Sequence, residues 1–336
     1  MISSPESLCR AIGIKQGDIA TILSNISTYY YEYKKKKRNK KGELKYTKFG
    51  TPEVRVINPS IRTLKIVQHK ICCLLNSKIP PAPYAFGSTK GRSCVMNARF
   101  HQGNKYIFQT DLRGFFPSIT RTEVYRMFIR FGFSPDVASI LTRLTTYKGH
   151  IPQGAPTSSL IANLVFTRTG DILARYCKQN GLKFTTYVDD MTISGPYDFQ
   201  ELIPDILHII RQDGYTISHT KTTYRTNHPE ITGAKVGNNY IDITDKLKAK
   251  IANPQGKSIA QIAGERNYQD LVYKANNPSL KSSRHNNNSL QTNRIKDNIK
   301  EDSTHFYRRV RVIAPFSTRT SSSFPHVAAC GYMRLE

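Results

Sequence analysis

Apolar positions along this chain follow two rhythms that alternate: one of three to four residues, as on a helix face, and one of two, as on a strand. Residues 1–28 read as a short helical lead. Tyr29-Tyr30-Tyr31-Glu32-Tyr33 runs into the lysines of 34–41 as a strand ending in a basic turn at Gly42, with further strands predicted over 44–49 and 54–57. Apolar residues at 61, 64, 67, 71, 74 and 75 mark a helix, which Pro80-Pro81-Ala82-Pro83 stops. A short helix over 95–100 precedes a buried strand over 106–110 that delivers Asp111. Helices follow over 122–131, with Glu123 in the first turn, and over 134–144, with Pro135 at the first helical position. The longest periodic helix spans 161–176 and is closed by Gly181. Beyond it the pattern predicts a hairpin over 185–194, a helix over 201–211, a strand over 215–218 and a hairpin over 231–243 broken at Gly237-Asn238-Asn239. Residues 245–251 and 258–275 read as helices. The Asn- and Ser-rich stretch 276–293 reads as a linker, 307–312 as a strand, and 317–323 carries no clear signal. Strands and helices in this order predict an α+β chain with a mixed sheet covered by helices.

Composition changes this picture in one respect. The 336 residues carry 38% hydrophobic and 10% aromatic side chains, enough for real cores, but also a formal charge of +26. An excess of that size favours a polyanionic partner, because each phosphate neutralised releases counterions and relieves self-repulsion. The interleaved tyrosines and lysines of 29–41 are suited to a phosphate-gripping flap. The six cysteines (9, 72, 73, 94, 177 and 330) form no C-x-x-C pair and have no histidine at zinc spacing. Reduced, mostly buried thiols are expected rather than a zinc site or a disulfide framework. No apolar signal-type segment opens the chain and no run approaches a membrane span, so a cytoplasmic protein with no membrane partner is expected.

The chemistry concentrates in Tyr187-Val188-Asp189-Asp190. Adjacent carboxylates inside a strand pattern repel each other and lower β-propensity, so folding alone gives no reason for them. A hairpin tip that presents carboxylates to a divalent cation does. Asp111 ends a buried strand beside a Gly turn, in Asp111-Leu112-Arg113-Gly114-Phe115-Phe116-Pro117. Alone it reads more readily as a helix cap or turn aspartate; beside the double Asp it becomes a candidate third ligand. Two-metal catalysis needs carboxylates from separate segments to converge on two ions about 4 Å apart, and hard oxygen donors suit Mg²⁺. Between these segments lies Ile151-Pro152-Gln153-Gly154-Ala155-Pro156-Thr157-Ser158-Ser159. Gly154 permits close backbone approach, Pro156 sets the turn, and Ser158 is placed to cap the long helix.

Asp111 with Phe115-Phe116, then Gln153-Gly154-x-Pro156-x-Ser158, then Tyr187-Val188-Asp189-Asp190 resemble three motifs of the reverse transcriptases, in that family's order. Asn97-Ala98-Arg99-Phe100-His101 resembles the N-A-x-x-H signature of the bacterial retron members, and Ile231-Thr232-Gly233 their V-T-G, departing at its first residue. The likeness covers roughly residues 10–275; the region after Asn276 does not match well.

The resemblance implies a right-hand polymerase fold: fingers over 29–105 with 135–160 shared between fingers and palm, and a palm over 106–235 whose mixed or antiparallel sheet carries the Asp triad. A helical thumb would span 236–275, and 276–336 would be a linker and an atypical tail, RNA-binding or disordered. It implies two Mg²⁺ ions on Asp111, Asp189 and Asp190 with help from the Leu112 carbonyl, and Lys221 protonating the leaving pyrophosphate. Deoxynucleoside triphosphate would be held by Arg55, Arg62, Gln153 and Gly154, with Phe116 excluding a 2′-hydroxyl; either Phe115 or Phe116 could instead be the core aromatic. RNA or template contacts would fall to Asn97, His101, Ser158 and Tyr187. A retron-type enzyme would copy a cognate structured noncoding RNA into branched or RNA-linked multicopy single-stranded DNA for defence against phage, beside an effector or toxin protein. The rival readings are another bacterial reverse transcriptase, group II intron-like or defence-associated, and a non-catalytic RNA-binding protein with a polymerase fold.

Overall fold

The computed structural model describes residues 2–277, apart from 40, 41, 48, 227 and 228. The chain divides into two compact units that meet in sequence at Thr244–Asp245.

The first unit opens with α1 (Pro5–Ile12) and α2 (Gln16–Ser24). Ser4 caps α1 by accepting from the Ser7 amide, and Gly13 closes it in the left-handed region at φ 60°. Strands β1 (Tyr33–Lys36) and β2 (Val54–Ile57) pair antiparallel as a two-stranded ribbon. The long helix α3 (Arg62–Lys78) and the short α4 (Cys94–Phe100) lead to β3 (Tyr106–Asp111). Next come α5 (Phe115–Ser118), α6 (Arg121–Arg130), α7 (Pro135–Thr145) and α8 (Ser158–Gln179). The hairpin β4 (Lys183–Tyr187) and β5 (Asp190–Gly195) follows, then α9 (Ile203–Gln212) and β6 (Thr223–Arg225). Strands β7 (Glu230–Ile231), β8 (Ala234–Val236) and β9 (Ile241–Ile243) end the unit.

The central sheet has the order β4-β5-β3-β6 and is antiparallel throughout. Because side chains alternate across a strand, one row (Phe184, Ile193, Phe108) runs across three strands into the core, each residue at most 5% exposed. Burying each such side chain contributes about 1.5–3 kcal/mol. The same alternation sends Asp111 and Asp190, opposite each other in register, to the other face. The buried stripe of α8, from Ile161 through Leu173 to Cys177, belongs to the same core.

The second unit comprises α10 (Asp245–Ala252) and α11 (Ile259–Asn276), the latter opened by a capping box between Ser258 and Gln261.

Several expectations need correction. Among the described residues of 44–49 no strand forms: Leu44 and Tyr46 make isolated bridges to Arg38 and Pro52, and the Lys37 and Lys45 amides bond to different partners. Residues 215–218 alternate in burial as a strand does, yet they lie against the end of β3 and the residues just after it, with the Ser218 amide donating to the Asp111 carbonyl at 2.8 Å and one isolated bridge from Leu112 to Ile217. The strand that pairs there is β6, after a 3₁₀ turn at His219–Lys221. Residues 230–243 make a three-stranded meander, with an additional turn at Thr232-Gly233. Helix α8 starts at Ser158 with Thr157 as N-cap residue, so Ser158 is not its cap. Of the described cysteines only Cys177 is buried and Cys73 is exposed, so the thiols are outside any disulfide but not mostly buried. The expected linker, tail and 307–312 strand lie outside the described residues.

Candidate active site

The β4–β5 hairpin turns in two residues, Val188 and Asp189, between the paired Tyr187 and Asp190. Two-residue hairpin loops require a positive φ at the first central position, usually supplied by glycine; here Val188 takes it at φ 62°. A β-branched residue in that region is strained and persists only where its surroundings over-determine it. Those surroundings are visible. The Leu112 amide donates to the Asp189 carbonyl at 3.1 Å, and the Phe86 amide donates to the Thr186 carbonyl at 2.8 Å. Gly87 lies directly under the turn: a Cβ there would stand 2.6 Å from the Val188 nitrogen. Arg92 locks this segment by donating to the carbonyls of Ala82, Pro83 and Ala85 at 2.6–2.8 Å.

The result is that one carboxylate oxygen from each of Asp111, Asp189 and Asp190 lies within 4.8 Å of the others. Three like charges at that spacing oppose one another's ionisation. Burial and then the charge of Asp111 push the Asp189 carboxyl up. Asp190 is driven up in the same direction by desolvation, by the charge of Asp189 and by a hydrogen bond with Asp111. Its surface stays open to solvent, so the neighbouring carboxylates are the stronger cause. Lys221 is the counter-charge, 2.6 Å from Asp111. Burial pulls its ammonium down, but the bond to Asp111 and the three carboxylate charges outweigh this and hold it up. A cluster of hard oxygens with a charge deficit, at a strained and tightly braced tip, has the donor set that a divalent cation takes.

Of the other expected residues, Arg55 exerts its charge on this centre. Arg55 sits on β2 and its charge acts on Asp189; its side chain makes no hydrogen bond or ion pair with the described residues. Arg62, at the start of α3, is exposed and held at φ 51°. The Gln153 carbonyl accepts from the Asn58 amide at 2.7 Å, and Gly154, at φ 103°, comes so close to Ile57 that a Cβ would stand 2.9 Å from its side chain. Phe115 is the core aromatic, packed among Phe166 and Tyr215 and 2% exposed, whereas Phe116 is half-exposed. Tyr187 is half-buried at the base of the turn.

Three residues expected to contact RNA are buried. Ser158 is 2% exposed and its hydroxyl donates to the Pro152 carbonyl, holding the loop together. Asn97 is 1% exposed, and its amide donates to Thr232 Oγ1 at 3.5 Å. His101 is fully buried, its Nδ1 2.7 Å from Ser194 Oγ and its Nε2 2.7 Å from Thr185 Oγ1.

Residues missed in the sequence are Gly87 and Arg92, and Lys35, which pairs with Arg55 across the ribbon and shares its face. Gly87 had a signal, a glycine following an apolar pair. Lys35 had none, because a lysine run does not reveal which lysine pairs opposite Arg55.

Residues 34–259 match the family described as "Reverse transcriptase (RNA-dependent DNA polymerase)". Among curated proteins the chain is 32% identical over 172 residues to a retron Ec86 reverse transcriptase of Escherichia coli, covering 50% of this chain and 53% of the relative. It is 31% identical over 229 residues to a retron Se72 reverse transcriptase of Salmonella heidelberg, covering 66% and 57%. To a retron Mx65 reverse transcriptase of Myxococcus xanthus it is 30% identical over 217 residues, covering 57% and 51%. The chain spans a little over half the length of these relatives.

Proposed function

The chain belongs to the reverse transcriptase (RNA-dependent DNA polymerase) family, and from that premise we propose that it is an RNA-directed DNA polymerase of retron type. The observation that carries this reading is the convergence of Asp111, Asp189 and Asp190 within 4.8 Å at a braced hairpin tip. The retron assignment rests on relatives that bear that name and on Asn97-Ala98-Arg99-Phe100-His101 with Thr232-Gly233.

In this reading 29–105 with part of 135–160 serves as fingers, 106–235 as palm and 236–275 as thumb. Asp111, Asp189 and Asp190, with the Leu112 carbonyl, would hold two Mg²⁺ ions. When bound, such ions supply Lewis-acid activation of the primer 3′-hydroxyl and neutralise charge on the departing pyrophosphate. The chain's own groups do the rest. Arg55 and Lys35, on one face of the β1–β2 ribbon, and Arg62 grip the triphosphate. Gln153 and Gly154 align the nucleotide. Phe116, half-exposed and close in sequence to Asp111, meets the sugar and excludes a 2′-hydroxyl. Lys221 gives its proton to an oxygen of the leaving pyrophosphate; its side chain is 53% exposed and so remains open to that group.

The template would be a cognate structured RNA, and the product a branched or RNA-linked multicopy single-stranded DNA. Antiphage defence with a partner effector protein extends the same reading, on the strength of family likeness. Among the described residues no helix is long and apolar enough to cross a membrane.

The test is primer extension on an RNA template with deoxynucleotides and Mg²⁺, wild type against the Asp189→Asn/Asp190→Asn double variant. Synthesis by the wild type and none by the double variant, at equal RNA affinity, is expected; unchanged synthesis would refute the metal assignment. Sequencing the nucleic acid that copurifies tests the retron type. A covalent RNA–DNA species is expected, and its absence would return the protein to another class of reverse transcriptase.

A further inference from the structure

Helix α4 lies between two parts of the first unit. At its start, Thr232 in the β7–β8 turn donates to the Cys94 carbonyl at 2.8 Å and accepts from Asn97. At its end, His101 reaches into the sheet and touches both strands of the hairpin: Thr185 on β4 and Ser194 on β5, each at 2.7 Å. By the register, Thr185 and Ser194 lie on the same face as Tyr187 and Asp190, at the foot of the hairpin whose tip carries Asp189.

The imidazole joins two buried hydroxyls. Ser194 is fully buried and also accepts from Asn104 Nδ2 at 2.7 Å. In the neutral ring one nitrogen of His101 donates and the other accepts, and each meets one hydroxyl. Such a network specifies one arrangement of the two strands, because a slip of either leaves a buried polar group unpaired, at a cost above that of the lost bond.

We propose that α4 is a bracket that sets the position of the catalytic hairpin, with His101 as a positioning residue for Asp189 and Asp190. His101 does not touch substrate; it acts through Thr185 and Ser194. The two signature segments, 97–101 and 232–233, then form one device, held together by the Asn97–Thr232 contact, that ties the β7–β9 meander to the hairpin. The inference rests on the polymerase reading above.

The experiment compares His101→Leu, an apolar side chain of similar bulk that makes neither bond, with His101→Gln, whose amide oxygen can accept from one of the two hydroxyls while its nitrogen donates to the other. Ile210→Ala, in the buried face of α9, serves as a control destabilised elsewhere. All are assayed on the full chain well below the unfolding temperature of the weakest. His101→Leu should lower kcat about tenfold to a hundredfold, the scale of an ångström's misplacement, with KM for deoxynucleotide within about twofold and more Mg²⁺ needed for half-maximal rate. His101→Gln should recover most of the rate, and Ile210→Ala should behave as wild type. Equal losses in the Leu and Gln variants, or a wild-type rate in His101→Leu, would overturn the proposal. If His101→Leu does not fold, Thr185→Val removes one bond from the other side; a reduced kcat supports the bracket and a wild-type kcat sinks it. A wild type that does not polymerise at all would instead count against the polymerase reading.

Discussion

Val188 and Gly87 are best understood as a pair. Val188 occupies the left-handed region at φ 62°, where its branched side chain is disfavoured, and the backbone of 84–87 runs so near that nothing larger than hydrogen fits at Gly87. The nearest obstacles to a Cβ there are backbone atoms of the turn, not the end of a flexible side chain. Gly87→Ala must therefore move the turn. We expect kcat to fall about tenfold to a hundredfold while RNA affinity, measured by filter binding, stays within about threefold. Loss of both together would mean that the segment also shapes the RNA site. His101 yields a prediction on stability. Burial, and then the charge of Lys183, lower its pKa from 6.5 to about 3. Neutral in the fold and protonated in the unfolded chain, it contributes stability that is fully present above pH 6.5 and is lost as pH falls toward about 3. At 1.36 kcal/mol per unit, the contribution lost between pH 7.5 and pH 5 is about 2 kcal/mol. Urea unfolding of the wild type and of His101→Gln at both pH values should show the difference between them shift by that amount against the wild type; a constant difference would contradict the buried, neutral state.

At the scale of elements, the β1–β2 ribbon shows how a charged surface becomes a directed one. Pairing puts Tyr33, Lys35, Arg55 and Ile57 on one face and Lys34, Lys36, Val54 and Val56 on the other. Only the first face carries Arg55, whose charge reaches Asp189. Charge-assisted hydrogen bonds contribute about 1.5–3 kcal/mol each, so Arg55→Ala should raise KM for deoxynucleotide roughly tenfold to a hundredfold. Lys34→Ala, on the far face, should leave it unchanged, and steady-state titration of nucleotide decides between them. Equal effects would mean that the ribbon acts by charge alone. The ribbon also shows where sequence is readable. Local period and turn residues marked Val54–Ile57, the helix α3 and the β4–β5 hairpin, because their patterns are local in sequence. The hairpin is the clearest case, since its two strands pair residue for residue from Lys183 with Ser194 to Tyr187 with Asp190. The triad was legible for the same reason: adjacent aspartates in a strand pattern have no structural use. What stayed hidden depends on contacts distant in sequence. Residues 215–218 have a strand's alternation, but only the length of β3 decides that β6 pairs there instead. Asn97, His101 and Ser158 are polar, which on sequence alone suggests surface, and only the fold shows that each is consumed by a buried partner.

For the molecule as a whole, the formal charge of +26 is the dominant fact. Self-repulsion at that level weakens the compact state, and a bound polyanion both relieves it and gains from counterion release. Affinity for RNA should therefore be set largely by the number of phosphates neutralised and not by base identity, as expected where structured RNA is read by shape and backbone. Two consequences can be measured. If about six to ten phosphates are contacted, affinity should fall about 10³- to 10⁵-fold between roughly 50 and 200 mM salt. Removing one contacting cation should flatten the slope of log K against log salt by about 1. Lys35→Ala is the informative variant, because Lys35 shares the face of Arg55. If Lys35 grips the incoming triphosphate, the slope for RNA stays as in the wild type and only the KM for deoxynucleotide rises. If instead the ribbon holds the template backbone, the slope flattens and KM does not change. The first outcome is expected, since Arg55 already directs that face toward the carboxylates, and the second would reassign the ribbon from nucleotide to template.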